Sequence, residues 1–286
     1  MRIALSGYRG LIGSTLEKEL ADEGFEVVRI NREALYDYKG NTLSALISGA
    51  DAVIHLSGSP ILKRWNKKNR TEIYDSRIVT TTNLVSATKA LPSENRPKIF
   101  ISASAIGIYQ SGKIHSEKSK QIAGHFAAQV IKDWEQGSES LPANTRRTVF
   151  RIGLVIDEKS QLIKQLKLPF MLFAGGPIGS GKQPFPFIHL RDVTAAIRWS
   201  LKNNNVKGIF NLVSPDQITN KQFSEHFARK LSRPSWLPVP KMPLKILFGQ
   251  AAQLVYESPG VIPERLINEK YPFKYPDIES ALNSFL

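Results

Sequence analysis

The sequence predicts an α/β chain, a doubly wound parallel sheet followed by a smaller, mostly helical C-terminal lobe. Three observations predict it. A glycine-rich turn follows the first β run, short apolar β runs then alternate with helical stretches, and helices and prolines dominate after about residue 216. At 286 residues the chain is near the upper limit of one hydrophobic core, so one large or two closely joined units are expected.

Arg2–Ser6 is the first β run; after the glycine turn, Leu11, Ile12, Leu16 and Leu20 recur at helical spacing until Gly24 stops the helix. Phe25–Ile30 and Ala52–Leu56 are further β runs, rich in branched apolar residues as buried parallel strands are, with a helical stretch around Leu43–Ile47 between them. Ile73–Ala90 reads as one helix, Lys98–Ser102 as a strand, about Gly124–Ser140 as a helix and Arg147–Val155 as one strand. Beyond residue 156, Leu162–Ala174 is apolar but interrupted by Pro169, and Gly175–Pro186 is rich in glycine and proline. A loop over a cleft is expected across about 157–187, with Phe170, Phe173, Phe185 and Phe187 either as an apolar wall or packed into the core. Phe187–Leu190 and Gly208–Val213 are late strands flanking a helix from Asp192 to Lys202. The division expected is a dinucleotide-binding unit over 1–215 and a substrate lobe over 216–286.

Composition narrows the function. Hydrophobic residues at 42% and charged ones at 22% exclude disordered, collagenous and coiled-coil chains. The absence of cysteine excludes a disulfide framework, a thiolate nucleophile and cysteine-ligated metal. The start MRIALSGYRG has no apolar signal core, and no run of about 18 apolar residues occurs, so a cytoplasmic protein without a membrane partner is expected. A net charge of +14 draws attention to nucleic acid and phosphorylated ligands. The densest basic run, Lys63–Arg70, reads as a solvated helix start rather than a stacking platform around Trp65, and no nucleic-acid partner is expected. The five histidines lack metal-ligand spacing, so no metal is expected, and His55 and His189 read as satisfied core or cleft residues. Gly176–Gln183 nearly spells a P-loop, but Gln183 replaces the magnesium-binding hydroxyl and Pro184 and Pro186 forbid the helix that should follow.

The turn itself reads Gly7-Tyr8-Arg9-Gly10-Leu11-Ile12-Gly13, directly between strand and helix. Residues without Cβ let backbone approach a pyrophosphate, the amides at Leu11 and Ile12 open the helix N-terminus, and the last glycine permits close helix–strand packing. This is a Rossmann-type dinucleotide signature. An NAD site usually places a carboxylate at the end of the second strand for the ribose hydroxyls; here that position reads Ile30-Asn31-Arg32. An arginine there pairs with a 2′-phosphate, and Arg9 is a second candidate, so NADP(H) is the expected cofactor.

Further segments carry a resemblance over almost the whole chain: AVIHLSG (Ala52–Gly58), TTTNLVSA (Thr80–Ala87), KRW (Lys63–Trp65), DSR (Asp75–Arg77), FISASAIGIYQ (Phe100–Gln110), KDWE (Lys132–Glu135), GGPIGSGKQ (Gly175–Gln183), FIHLRD (Phe187–Asp192) and the stretch from Leu237. The chain resembles the extended short-chain dehydrogenase/reductase proteins of the NAD(P)-dependent epimerase/dehydratase superfamily, and within them the NADP-dependent oxidoreductase subgroup known as epimerase family proteins. The resemblance implies a cofactor site built from Gly7, Arg9, Gly10, Leu11, Ile12 and Gly13, from Asn31 and Arg32, and from Leu56, Ser57 and Gly58. It also implies contacts from Glu72, Arg77, Ser102 and Arg151, and a small-molecule substrate, of which sugar nucleotides are one class.

Catalytic members of that superfamily place a serine at a strand end and a Tyr-x-x-x-Lys on the next helix, where the lysine lowers the tyrosine pKa for proton transfer. Ser104 stands for the serine, with Ser102 as a weaker choice. The expected helix, Gly124–Glu135, contains no tyrosine. A literal Tyr109-x-x-x-Lys113 spans Gln110-Ser111-Gly112, where no continuous helix is expected, and Tyr109 is left as a residue lining the substrate side. Two readings follow: an NADP(H)-dependent oxidoreductase or epimerase, or a non-catalytic NADP(H)-binding sensor or assembly protein.

Overall fold

The computed structural model describes residues 1–37 and 41–286. Its strands are β1 (Arg2–Ser6), β2 (Glu26–Ile30), β3 (Ala52–His55), β4 (Ile99–Ala105), β5 (Ile114–His115), β6 (Arg146–Ile152), β7 (Leu154–Ile156), β8 (Phe187–His189), β9 (Gly208–Leu212) and β10 (Gly260–Val261). Its α-helices are α1 (Leu11–Asp22), α2 (Arg32–Leu35), α3 (Asn41–Ile47), α4 (Lys67–Asp75), α5 (Ile78–Ala90), α6 (Phe126–Gly137), α7 (Gln161–Met171), α8 (Leu190–Lys202), α9 (Asn220–Lys230), α10 (Lys241–Phe248), α11 (Gln253–Tyr256), α12 (Glu264–Asn268) and α13 (Ile278–Asn283).

Six of these strands form one parallel sheet in the order β2-β1-β3-β4-β6-β9. It is the doubly wound Rossmann-type sheet that the sequence predicts. Its interior strands read as apolar runs because both faces are covered: Ile3, Leu5, Ile54, Ile101 and Phe150 pack under α1 and α8, whereas Ala4, Val53 and Phe100 pack under α3 and α5.

Three elements depart from the sequence reading. The expected helix over Ile73–Ala90 is two helices, broken at Ser76 and Arg77. The Ser76 hydroxyl accepts the Ser59 amide at 2.9 Å, and Arg77 turns back beneath Gly58, so tertiary contacts at the break outweigh continuous helical periodicity. The expected single strand Arg147–Val155 divides at Gly153, where a Cβ would lie 2.5 Å from the Pro186 carbonyl oxygen. Its second half leaves the main sheet and pairs with β8 as a separate two-stranded sheet. Within the segment expected as loop, α7 forms: Ser160 caps it, accepting from the Ile163 amide at 3.2 Å, and Pro169, which removes the bond to the Gln165 carbonyl, falls in its last turn just before the helix ends.

α7 and β8 build a second core with the C-terminal stretch, in which Ile163, Phe170 and Phe187 meet Phe223, Phe227, Ile278 and Leu282. The chain then re-enters the first core. β10 pairs with β5, α12 covers the edge strand β9, and Leu266 and Tyr271 are buried among the residues of the main sheet. The Arg265 guanidinium lies 3.9 Å from the Phe210 ring centroid and donates to the Ile209 and Lys207 carbonyls at 2.7 and 2.8 Å. Among the described residues, no helix is long and apolar enough to cross a membrane.

Candidate functional site

The chain passes from β1 to β2 on one side and then places β3 on the other, so the sheet's direction switches between β1 and β3. Ligands of open α/β sheets bind in the crevice such a switch leaves at the carboxyl ends of the strands. Here it holds a cavity of about 430 Å³. Gly7 sits at φ +77°, and a Cβ on it would lie 2.6 Å from the Leu56 carbonyl carbon; one on Gly13 would lie 2.2 Å from the Gly7 oxygen. Only glycine lets the three segments come this close. Gly10 is the N-cap of α1 and supplies no side-chain bond, so the first amides of a twelve-residue helix are left without the usual cap. A cradle of bare backbone at an uncapped helix N-terminus suits a pyrophosphate.

Gly7, Arg9, Gly10, Asn31, Arg32, Leu56, Ser57, Gly58 and Glu72 all line this cavity. Leu11, Ile12 and Gly13 form the first turn of α1 behind them. The Asn31 side chain caps α2 through the Ala34 amide at 2.8 Å, which fixes where Arg32 begins. Arg9 and Arg32 are exposed, rest near the rings of Tyr8 and Tyr36, and have no carboxylate partner among the described residues within 4.0 Å. Glu72 is not free. Its carboxylate accepts Lys63 Nζ at 2.7 Å and the Ser59 hydroxyl at 2.8 Å, and these bonds hold it below the usual carboxylate range. Lys63 and Ser59 are absent from the sequence-derived set because nothing in local periodicity links a lysine to a glutamate nine residues on. Arg77 supports the wall from below, its guanidinium carbon 3.0 Å from where a Gly58 Cβ would be, and burial lowers it to about 10.

Ser102, Ser104 and Arg151 line neither this cavity nor its neighbour. Ser102 donates to the Ala103 carbonyl at 2.9 Å. Ser104 donates to Glu135 Oε1 at 2.5 Å, and the same carboxylate takes Arg151 Nε at 2.7 Å and Nη2 at 2.6 Å. Arg151 Nη1 donates to the Tyr109 hydroxyl at 2.8 Å, which itself donates to Asn211 Oδ1 at 2.7 Å. Burial would lower Arg151, but the hydrogen bonds and charge of Glu135 overcome it and hold the guanidinium above its ordinary value. Burial raises the Tyr109 phenol, against the opposing pull of Arg151 and Asn211. A catalytic phenol needs the reverse shift, and residues 109–113 form no helix. Neither hydroxyl has a proton free for a substrate in this arrangement.

A second cavity, of about 580 Å³, adjoins the first. The segment 56–62 walls both, Leu56 to Pro60 on one side and Ile61 and Leu62 on the other. Ala105 at the end of β4, Ile106 and Gly153, just beyond β6, form its floor, and α7, α9 and α11 contribute its far side. Of the four expected phenylalanines only Phe185 lines it; Phe170 and Phe187 are consumed by the second core, and Phe173 is exposed. Trp65 is buried against Ala127 and Val130. His55, hydrogen-bonded by Ser6 and Thr80, is lowered by burial to about 3, and His189 caps α8.

These features define a Rossmann-type dinucleotide-binding protein, and comparison with known proteins agrees. Residues 3–129 match the NAD-dependent epimerase/dehydratase family, and residues 239–285 match a domain of unknown function (DUF1731). The epimerase family protein YfhF of Bacillus subtilis is 31% identical over 100% of this chain and 98% of its own. The crystal structure of the human epimerase family protein SDR39U1 with NADPH superposes with a TM-score of 0.90 at 30% identity, covering 100% of this chain and 99% of that one. A nucleoside-diphosphate sugar epimerase from Corynebacterium glutamicum is 26% identical with a TM-score of 0.79, covering 99% of this chain and 57% of that one. The chain belongs to the NAD-dependent epimerase/dehydratase family, in the group of epimerase family proteins.

Proposed function

We propose that the chain is an NADP(H)-dependent oxidoreductase or epimerase whose cofactor lies in the switch-point cavity and whose small-molecule substrate enters the adjoining one. The observation that carries this reading is the pair Arg9 and Arg32, two exposed cations with no carboxylate within 4.0 Å among the described residues, over a glycine cradle where Asn31 and Arg32, not an acid, directly follow β2. The human relative is described with NADPH, which supports the same choice. In this reading the open amides of α1 take the pyrophosphate and Arg32 takes the 2′-phosphate, with Arg9 beside it. Lys63 and Ser59 hold Glu72 against the 56–60 wall and so fix its shape. A bound nicotinamide would supply or accept the hydride. Ser104, Glu135, Arg151 and Tyr109 act as a positioning network beneath the floor shared by β4 and β6.

The bonded state of Ser104 and Tyr109 supports a second reading, a non-catalytic NADP(H)-binding protein. The two share the cofactor and differ in turnover. Calorimetric titration with NADPH and with NADH tests what they share: NADPH should bind more tightly, and Arg32→Ala should weaken NADPH by about 10- to 150-fold while leaving NADH nearly unchanged, the loss of a charge-assisted pair. An equal loss for both cofactors refutes the assignment of Arg32. Oxidation of NADPH by a carbonyl substrate would exclude the second reading.

A further inference from the structure

From the wall of the 580 Å³ cavity we infer the substrate's chemical class: a neutral, largely apolar molecule bearing a carbonyl or hydroxyl oxygen, and not a nucleoside diphosphate sugar. The inference rests on the proposed function for its setting but stands on different residues. The chain has 39 lysines and arginines, yet among the described residues none lines this cavity. A diphosphate brought there would lose its water and find no cation to replace it. Glu257, the only carboxylate among the described residues of the wall, would repel it. The walls are instead Leu162, Leu166, Ile131, Phe185, Phe223 and Leu254.

Much of the polar lining is already used within the protein. Asn220 Oδ1 accepts the Ile178 amide at 2.7 Å, Gln183 Nε2 donates to the Ile178 carbonyl at 3.0 Å, Ser224 donates to the Asn220 carbonyl at 2.9 Å, and Tyr109 serves Arg151 and Asn211. Gln110, Ser111, Gln253 and Ser258 add further neutral polar groups to the wall, and so does His125. Its Nδ1 accepts the Ala128 amide at 3.1 Å as the N-cap of α6, so the neutral ring carries its proton on Nε2, and burial holds its pKa below the ordinary value, keeping the ring neutral at pH 7. A mainly apolar chamber whose polar groups are neutral, the His125 N–H among them, matches a ligand with few oxygens in a hydrocarbon frame.

Binding of Nile red, a neutral dye that fluoresces in apolar surroundings, tests this, with benzophenone and UDP-glucose as competitors and NADPH titration run on every variant. The dye should bind and be displaced by benzophenone but not by UDP-glucose. Leu166→Arg and Leu254→Arg, each at a half-buried position, should weaken the dye by at least about tenfold through burial of an unpaired charge. His125→Phe should weaken benzophenone more than the dye. Retained NADPH binding in the variants shows that they are folded. Displacement of the dye by UDP-glucose, or dye binding indifferent to both arginine substitutions, overturns the inference. NADPH binding by the wild type without dye binding overturns it too while leaving the proposed function standing; dye binding without NADPH binding does the converse.

Discussion

Replacing Glu135 by glutamine keeps the shape of the buried network and removes the negative charge that pairs with Arg151. In the wild type that carboxylate accepts two bonds from Arg151, at 2.6 and 2.7 Å, and one from Ser104, with the ion-pair side chains 7% and 9% exposed. The glutamine can offer one oxygen where two were bonded, and its amide nitrogen would face the guanidinium donor to donor. Arg151 would then be a buried cation supported only by Tyr109 and a neutral oxygen, a state that costs about 3–5 kcal/mol when one partner of a buried pair is lost. Urea unfolding followed by circular dichroism reads the loss as a lower midpoint at an unchanged slope. The double variant Glu135→Met with Arg151→Met, which removes both charges and fills the volume, should recover most of it. Because none of these atoms lines the dinucleotide cavity, NADPH affinity below the melting range should stay within about 0.5 kcal/mol of wild type. A loss below about 1 kcal/mol, the size seen for exposed pairs, would refute the claim that this charge is dry.

Two further tests address the cradle and the buried histidines. Gly13→Ala drives a Cβ to 2.2 Å from the Gly7 oxygen and should cost about 1–3 kcal/mol together with NADPH affinity, whereas Gly124→Ala, which meets nothing within 4 Å, should be nearly neutral; equal thermal shifts would contradict the packing argument. Burial places His55 at about 3 and His189 at about 4 in the folded chain, so on acidification below about 6.5 the unfolded chain binds protons that the folded chain does not. Stability should therefore fall as the pH drops from 6.5 toward 5, approaching about 1.4 kcal/mol per pH unit for each histidine, and His189→Gln should flatten the slope. A melting temperature independent of pH between 7 and 5 would count against both.

The glycine turn and the strands of the main sheet were legible because their causes are local. A bare-backbone turn must be written in glycine, and a strand buried on both faces must be written in branched apolar residues. The missing acid after β2 was equally readable, since Asn31 and Arg32 follow the strand directly. What periodicity could not show lay in long-range contacts. Arg77 breaks a helix because Gly58, nineteen positions earlier in the chain, leaves room for it, and Gly153 bends a strand because the Pro186 carbonyl crowds it. Ser104 reads as available for chemistry in the sequence, but its hydroxyl donates to Glu135, on a helix 31 residues later. The aromatic residues near 170–187 were divided between cavity and core by packing with α9 and α13, far along the chain.

The return of the last segment to the first core bears on how the molecule is made. β9 is the edge of the sheet, and the helix that covers it, with Leu266 and Tyr271, is synthesised after everything the sheet itself contains. While the nascent chain is still shorter than this, the edge strand presents open backbone and an uncovered apolar face, the condition under which sheets join those of neighbouring chains. A message truncated near residue 255 should therefore yield an aggregating product rather than a shortened binding protein. For the same reason a fusion partner is better joined ahead of Met1 than placed where it would delay the docking of α12.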